Sequence, residues 1–220
     1  MTYSYLLFDA DDTLFDFQAA EEKSLNELFS LLKLPPAAKE DYRNISRHLW
    51  AQLEKKEINL SELKKTRFKK LLEIYPRQTE TDPEMLYEAY LASHDDLLPG
   101  ADLLIEQLSK RFHLFLISNG MPNIQYPRLK KSGLDRYFEK IFISEEIGAQ
   151  KPSKEFFDKV FEDSQIKKEE CLVIGDSLTS DIAGGRNYGL DTCYLNFHHQ
   201  TSDLATYSIS SYEELVHLLQ

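Results

Sequence analysis

This chain is poor in cysteine, short of basic residues, and has no long apolar run, internal repeat or low-complexity segment. Its two cysteines, Cys171 and Cys193, stand alone between strand-like residues. That argues against a disulfide or a cysteine metal pair and for buried, reduced thiols. Lys and Arg total 26 against 37 Asp and Glu, a formal net charge of -11. The basic footprint of a nucleic-acid binder is therefore missing. The same charge repels an anionic substrate at long range, so a phosphate site here has to rest on local devices: a metal, one or two cations, and backbone N–H groups. No stretch approaches the ~20 apolar residues of a membrane helix. Met1-Thr2-Tyr3-Ser4 lacks the basic region of a secretory signal, and a cytoplasmic setting is expected. What remains, 42% hydrophobic and 29% charged over 220 residues, is the composition of an ordinary soluble protein. The length suits one domain or a domain with an insertion.

The most telling stretch is Asp9-Ala10-Asp11-Asp12-Thr13-Leu14, directly behind the apolar run Tyr5-Leu6-Leu7-Phe8. That run has the length and composition of a buried parallel strand. Open α/β sheets bind ligands outside the carboxyl ends of their strands, so the acids are expected in a crevice. Such a cluster repels itself unless a cation or proton neutralises it. An Asp-rich turn would read the same way, and both alternatives stay open on this fragment.

From Phe15 to about Leu97 the chain reads as successive helices. Leu25, Leu28, Phe29 and Leu32 fall at helical spacing, as do Ile45, Leu49 and Leu53, and Phe68, Leu71, Leu72 and Tyr75. Pro35-Pro36 separates the first two helices, and Asp82-Pro83-Glu84 has the form of a helix start. These stripes predict packing faces. Trp50 and Arg67, on the same helices, read as cap packing and a snorkelling charge ahead of a ligand contact.

From Leu98 onward strands and helices alternate. Strands are expected over Phe112–Ile117, Lys140–Ile143, Cys171–Ile174 and Asp191–Leu195. Helices are expected from Ala101 to Leu108, about Asn123 to Tyr137, Pro152 to Ser164, Thr179 to Tyr188 (closed by Gly189) and Tyr212 to Leu219. This alternation predicts an α/β fold with a doubly wound parallel sheet. Residues 1–14 and 98–220 would form the core, and residues 15–97 an inserted helical cap above the carboxyl edge of the sheet.

Later strand ends supply partners for the acids. The second strand runs into Ser118-Asn119-Gly120, which offers a hydroxyl and backbone N–H groups to phosphate oxygens. Lys151-Pro152 follows the third strand, and a phosphate crevice needs such a cation. Gly175-Asp176-Ser177 follows the fourth, with Asp181 near the start of the next helix. Each piece alone is a common polar turn or a solvated charge. Their joint order, each after its own strand, is highly specific.

In these four motifs, Asp9-Ala10-Asp11-Asp12-Thr13, Ser118, Lys151 and Gly175-Asp176, the chain resembles the haloacid dehalogenase superfamily of phosphohydrolases. The helical insert is similar to that superfamily's type 1 cap. Leu7-Phe8-Asp9-Ala10-Asp11, Ile143-Ser144-Glu145-Glu146-Ile147-Gly148 and Leu195-Asn196 followed by His198-His199 resemble the pyrimidine 5′-nucleotidase branch. Asp12 stands where many members of the wider superfamily carry glycine.

The resemblance implies a Rossmann-like core and a magnesium-dependent phosphomonoesterase. Asp9 would attack phosphorus, giving an aspartyl-phosphate, and Asp11 would act as acid and then base. Magnesium would be held by the Asp9 carboxylate, the Asp11 backbone carbonyl and Asp176, with Asp181 in support. Ser118, Asn119 and Lys151 would bind the phosphate. The implied partner is a small phosphorylated metabolite, a nucleoside monophosphate first, with no nucleic-acid polymer and no membrane; the assembly state is left open. His198-His199 reads as a surface or substrate-rim pair. Three alternatives remain: a phosphosugar phosphatase or mutase, a haloacid dehalogenase, and a silent binding protein. The dehalogenase needs neither a metal nor a leaving-group acid, so Asp11 and Asp176 count against it.

Overall fold

The computed structural model describes residues 3–197 and 199–220. Six parallel strands form one sheet: β1 (Tyr5–Phe8), β2 (His113–Ser118), β3 (Lys140–Ile143), β4 (Cys171–Gly175), β5 (Asp191–Leu195) and β6 (Tyr207–Ile209). Their order is β3-β2-β1-β4-β5-β6. β1 is central, with Phe8 opposite Leu116 on one side and Ile174 on the other. The Asp9 amide extends the second pairing by donating to the Ile174 carbonyl at 2.9 Å. The chain reverses its direction of travel across the sheet beside β1, and that switch point is where such folds open a crevice.

The chain divides into two compact units, Met1–Phe17 with Asp95–Gln220, and Gln18–His94. The second is helical, built on α1 (Phe17–Leu31), α2 (Ala38–Glu54), α3 (Leu60–Ile74) and α4 (Pro83–Ser93). Its stripes are packing faces: Leu25, Leu28 and Phe29 are buried on α1, Leu49 and Leu53 on α2, and Phe68 and Leu71 on α3. Trp50 packs beside Leu49, Leu53 and Leu63. Asp82 caps α4 by accepting from the Glu84 amide at 3.0 Å, with Pro83 in the first turn. Asn59 and Glu62 close a reciprocal capping box on α3, which satisfies two end donors at once. Arg67 does not snorkel. It is 3% exposed and pairs with Glu84, its Nε donating to Oε2 at 2.7 Å.

In the first unit the sheet is covered on both faces by α5 (Ala101–Leu108), α6 (Pro122–Ser132), α7 (Ser144–Ile147), α8 (Lys154–Ser164), α9 (Ala183–Tyr188) and α10 (Tyr212–Leu218). Alternate strand residues feed two cores. Leu6, Phe8, Leu114, Leu116, Leu172 and Ile174 pack with Leu104, Ile105, Leu129 and Leu215, while Leu7, Phe115, Ile117 and Val173 meet Phe156, Phe157 and Val160. Each fully buried side chain of this kind contributes about 1.5–3 kcal/mol. The fold is therefore a doubly wound α/β sheet with an inserted helical region.

Three expectations change in detail. α6 stops at Ser132, not Tyr137, because Gly133 takes φ +73 and turns the chain. The helix expected from Thr179 opens as a π-helical turn over Leu178–Ile182 before α9. The edge strand β6 is an addition, three residues being too short a run to mark a strand in the sequence. His198 lies outside the described residues; His199 is exposed in a turn at φ +53, its amide donating to the Asn196 carbonyl at 3.1 Å. Among the described residues, no helix is long and apolar enough to cross a membrane.

Candidate active site

The carboxyl ends of β1, β2 and β4 and the segment that follows β3 and α7 bring the four motifs together. Beyond Asp9, the chain closes a tight loop in which the amides of Leu14 and Phe15 both donate to the Ala10 carbonyl at 2.9 Å. Asp12 sits in that loop at φ +55, a region glycine enters freely and Asp tolerates better than most residues. An acid is therefore accommodated at this position.

Lys151 is the hub. It is fully buried, and its ammonium donates to Asp9 Oδ1, Asp181 Oδ1 and the Ile117 carbonyl, each at 2.7 Å. Three donors thus meet three acceptors, the full capacity of an ammonium group. A cis peptide joins Lys151 to Pro152. The main chain of Lys151 is clasped by Asn119, whose side-chain oxygen accepts from the Lys151 amide at 2.9 Å and whose NH₂ donates to its carbonyl at 2.8 Å. The amide side chain of Asn119 therefore serves the loop that carries the cation.

Asp181 is fully buried, with its second oxygen accepting from the Ser177 amide at 3.1 Å. It lies so close over Gly175 that a Cβ there would sit 2.3 Å from Asp181 Oδ2. Glycine before Asp176 is thus a requirement of space. Asp176 accepts from the Thr13 hydroxyl at 3.4 Å, a partner the sequence reading did not assign. Ligand oxygens of Asp9, Asp176 and Asp181 all lie within 4.8 Å of one another.

The electrostatics follow from that crowding. Burial, reinforced by the charge of Asp181, pushes Asp9 up to about 7 against the opposing pull of Lys151. Burial also pushes Asp176 up to about 8, with Asp9, Asp181 and Asp12 adding repulsion. Burial works against the charge on Lys151, yet Asp181 and Asp9 hold its ammonium above the ordinary lysine range. An oxygen-only set of crowded carboxylates is the donor chemistry of a hard divalent cation.

Asp11 faces a different set of partners. Arg128 Nη1 donates to its Oδ1 at 2.5 Å and Gln125 Nε2 to its Oδ2 at 2.6 Å. Gln125 also reaches Ser118 Oγ at 3.1 Å, and the Gly120 amide donates to the same hydroxyl at 2.9 Å. Sequence reasoning missed Gln125 and Arg128 as site residues. The available signal was their place on α6, flanked by the buried Ile124 and Leu129. Elsewhere, α3 and α4 frame a surface groove of about 490 Å³ lined by Lys64, Lys65, Lys69 and Glu88 among others. None of the four motifs contributes to it.

Comparison with known proteins agrees with this geometry. A family model described as haloacid dehalogenase-like hydrolase matches residues 3–189. The HAD-hydrolase YfnB of Bacillus subtilis is 42% identical, over 99% of this chain and 95% of its own. A crystal structure of YfnB bound to magnesium superposes with a TM-score of 0.91, covering 100% of this chain and 99% of that one. The pyrimidine 5′-nucleotidases PynA of Streptococcus pneumoniae and YjjG of Escherichia coli are 40% and 34% identical. Each match spans 100% of this chain, and 96% and 99% of the respective relative. With its acids, cation and hydroxyl gathered at the switch point of a parallel sheet, the chain belongs to the haloacid dehalogenase-like hydrolase family.

Proposed function

We propose that this protein hydrolyses small phosphomonoesters through an aspartyl-phosphate on Asp9, with pyrimidine nucleoside 5′-monophosphates as its preferred substrates. The observation that carries the reading is the buried Lys151 ammonium, bridging Asp9 and Asp181 at 2.7 Å each at the end of the central strand. Lys151 fixes Oδ1 of Asp9, which leaves Oδ2 for attack on phosphorus. As the Asp9–phosphorus bond forms, the bond to the leaving oxygen breaks and Asp11 delivers a proton to that oxygen. Asp11 then takes a proton from water, whose oxygen attacks phosphorus and releases Asp9 and phosphate. Ser118 donates its hydroxyl hydrogen to a phosphoryl oxygen, Lys151 supplies positive charge beside it, and Asn119 holds Lys151 in place.

The donor set fits magnesium. Asp9, Asp176 and the Asp11 backbone carbonyl would hold it, with Asp181 in support because Lys151 and Ser177 already engage both its oxygens. When bound, the ion supplies the positive charge that offsets the carboxylates and the phosphate oxygens. The magnesium in the YfnB crystal structure supports this choice. The names of PynA and YjjG support the pyrimidine nucleotide preference. Residues 15–97 are read as the cap of the fold on the resemblance alone. The buried free thiols of Cys171 and Cys193 support a reducing, cytoplasmic setting.

The test is kcat/KM for uridine, deoxyuridine and thymidine 5′-monophosphates against purine nucleotides and sugar phosphates, with magnesium and after chelation. The pyrimidine nucleotides should lead, and chelation should silence turnover. A sugar phosphate ahead by tenfold, about 1.4 kcal/mol of transition-state preference, would remove the nucleotide assignment and leave the phosphatase. Full activity in excess chelator would remove the metal.

A further inference from the structure

Asp11 is held more firmly than a proton-transfer group at a crevice mouth needs to be. Its side chain is 29% exposed, yet each of its oxygens has a donor from one turn of α6. Those donors are themselves fixed. Arg128 is fully buried and lies 4.3 Å from the centroid of the Phe15 ring, in the same loop as Asp11. Gln125 is 1% exposed, and its Oε1 accepts from Arg128 Nη1 at 3.4 Å. Its Nε2 spans Asp11 Oδ2 and Ser118 Oγ. Gly120 is part of the arrangement: a Cβ there would lie 2.4 Å from Gln125 Nε2. A guanidinium is buried at a cost unless it is paired and hydrogen-bonded, and the partner that Arg128 is given is Asp11.

We infer that Gln125 and Arg128 are positioning residues that aim the Asp11 carboxyl at the leaving-group oxygen and set its spacing from the Ser118 hydroxyl. The inference rests on the proposed role of Asp11 as acid and base, and it adds no chemical step. Both donors can keep their hydrogen bonds while Asp11 gives and takes a proton, because a carboxylic acid still accepts through its remaining lone pairs. What the pair supplies is geometry, and small misplacements of a catalytic group are costly, of order 10²-fold for 1 Å.

The leaving group separates positioning from a structural role. A nucleoside 5′-alkoxide needs a proton to depart, whereas p-nitrophenolate departs without one. kcat/KM reports the step in which the leaving group is lost, so it is measured with uridine 5′-monophosphate and p-nitrophenyl phosphate. If a sugar phosphate leads the substrate panel, it takes the nucleotide's place. Arg128→Met and Gln125→Met should each lose at least tenfold more with the alkyl ester than with the aryl ester, and Arg128→Lys should recover part of the difference. Circular dichroism checks the fold, and Gln125→Met carries the test if Arg128→Met does not fold. Equal losses on both substrates in folded variants overturn the inference. Asp11→Asn is the reference. If it shows the split and the two Met variants do not, the positioning role alone falls. If Asp11→Asn shows no split, Asp11 is not the acid and both readings fall together.

Discussion

In the α/β unit a buried Lys151 sits between Asp9 and Asp181 with Asp176 close by, whereas in the helical unit a buried Arg67 pairs with Glu84. The first cluster is under-neutralised: one ammonium serves three crowded carboxylates, and burial raises Asp9 and Asp176 toward protonation. In the second, burial also raises Glu84, but a bidentate Arg67 pulls it back down, with Arg67 stacked 4.6 Å from the Tyr87 ring centroid and 5.8 Å from that of Phe68. Excess charge of one sign is costly to the apo fold and useful only when something arrives to offset it. A matched pair within an aromatic cluster contributes to the protein's own packing. Local charge balance, more than burial, thus separates a site that awaits a ligand from one that is finished.

The largest effect that tests this contrast is loss of Asp9, the proposed nucleophile. Asp9→Asn should lower phosphatase turnover by about 10⁴-fold or more, while its denaturant midpoint stays near that of the parent. An inactive variant that is also strongly destabilised would make Asp9 a structural residue like Arg67.

Next in size is the helical unit's ion pair. Arg67→Met should cost about 3–5 kcal/mol in denaturant unfolding, because it strands Glu84 as an uncompensated buried charge. Adding Glu84→Leu should regain most of that loss. A single variant that unfolds like the parent would show the pair to be marginal.

The smallest effect is in the pH dependence of the metal-free protein. Asp9 and Asp176 have folded pKa values above their unfolded ones, so the folded state binds more protons between about pH 4 and 8. Their contribution to stability is present below the unfolded pKa and is lost as the pH rises through the folded one. In chelator, the melting temperature should fall across that window. Asp176→Asn should flatten the slope, and magnesium at pH 8 should raise the midpoint. An unchanged slope in Asp176→Asn would remove Asp176 from the crowded cluster.

The sheet was readable because β1 to β4 each carry a short apolar run, and the motif order followed once those runs were placed. β6 was not, since Tyr207-Ser208-Ile209 is only three residues long and gains its place by pairing with β5. The meeting of Asp9, Ser118, Lys151 and Asp176 was legible only from their joint order along the chain, since each alone reads as a common polar turn or a solvated charge. Gln125 and Arg128 were not, because a polar pair on a helix ordinarily reads as a solvated face. Arg67 misled in the same way, its long stem suggesting a charge that reaches water. What sequence patterning does not encode in these three residues is the partner: Asp11 for two of them and Glu84 for the other.

The central place of β1 also governs when the site comes into being. Phe8 finds its two neighbours at Leu116 and Ile174, so the strand bearing Asp9 leaves the ribosome long before either partner. At roughly 5–20 residues per second, it waits several seconds while the helical unit, whose contacts are mostly closer in sequence, is made. Non-local pairings of this kind are slow to close. Asp176 and Asp181 arrive later still. A nascent chain stopped before them carries Asp9 with no cluster around it, so the first hydrolytic turnover marks a chain whose synthesis has passed the fourth strand.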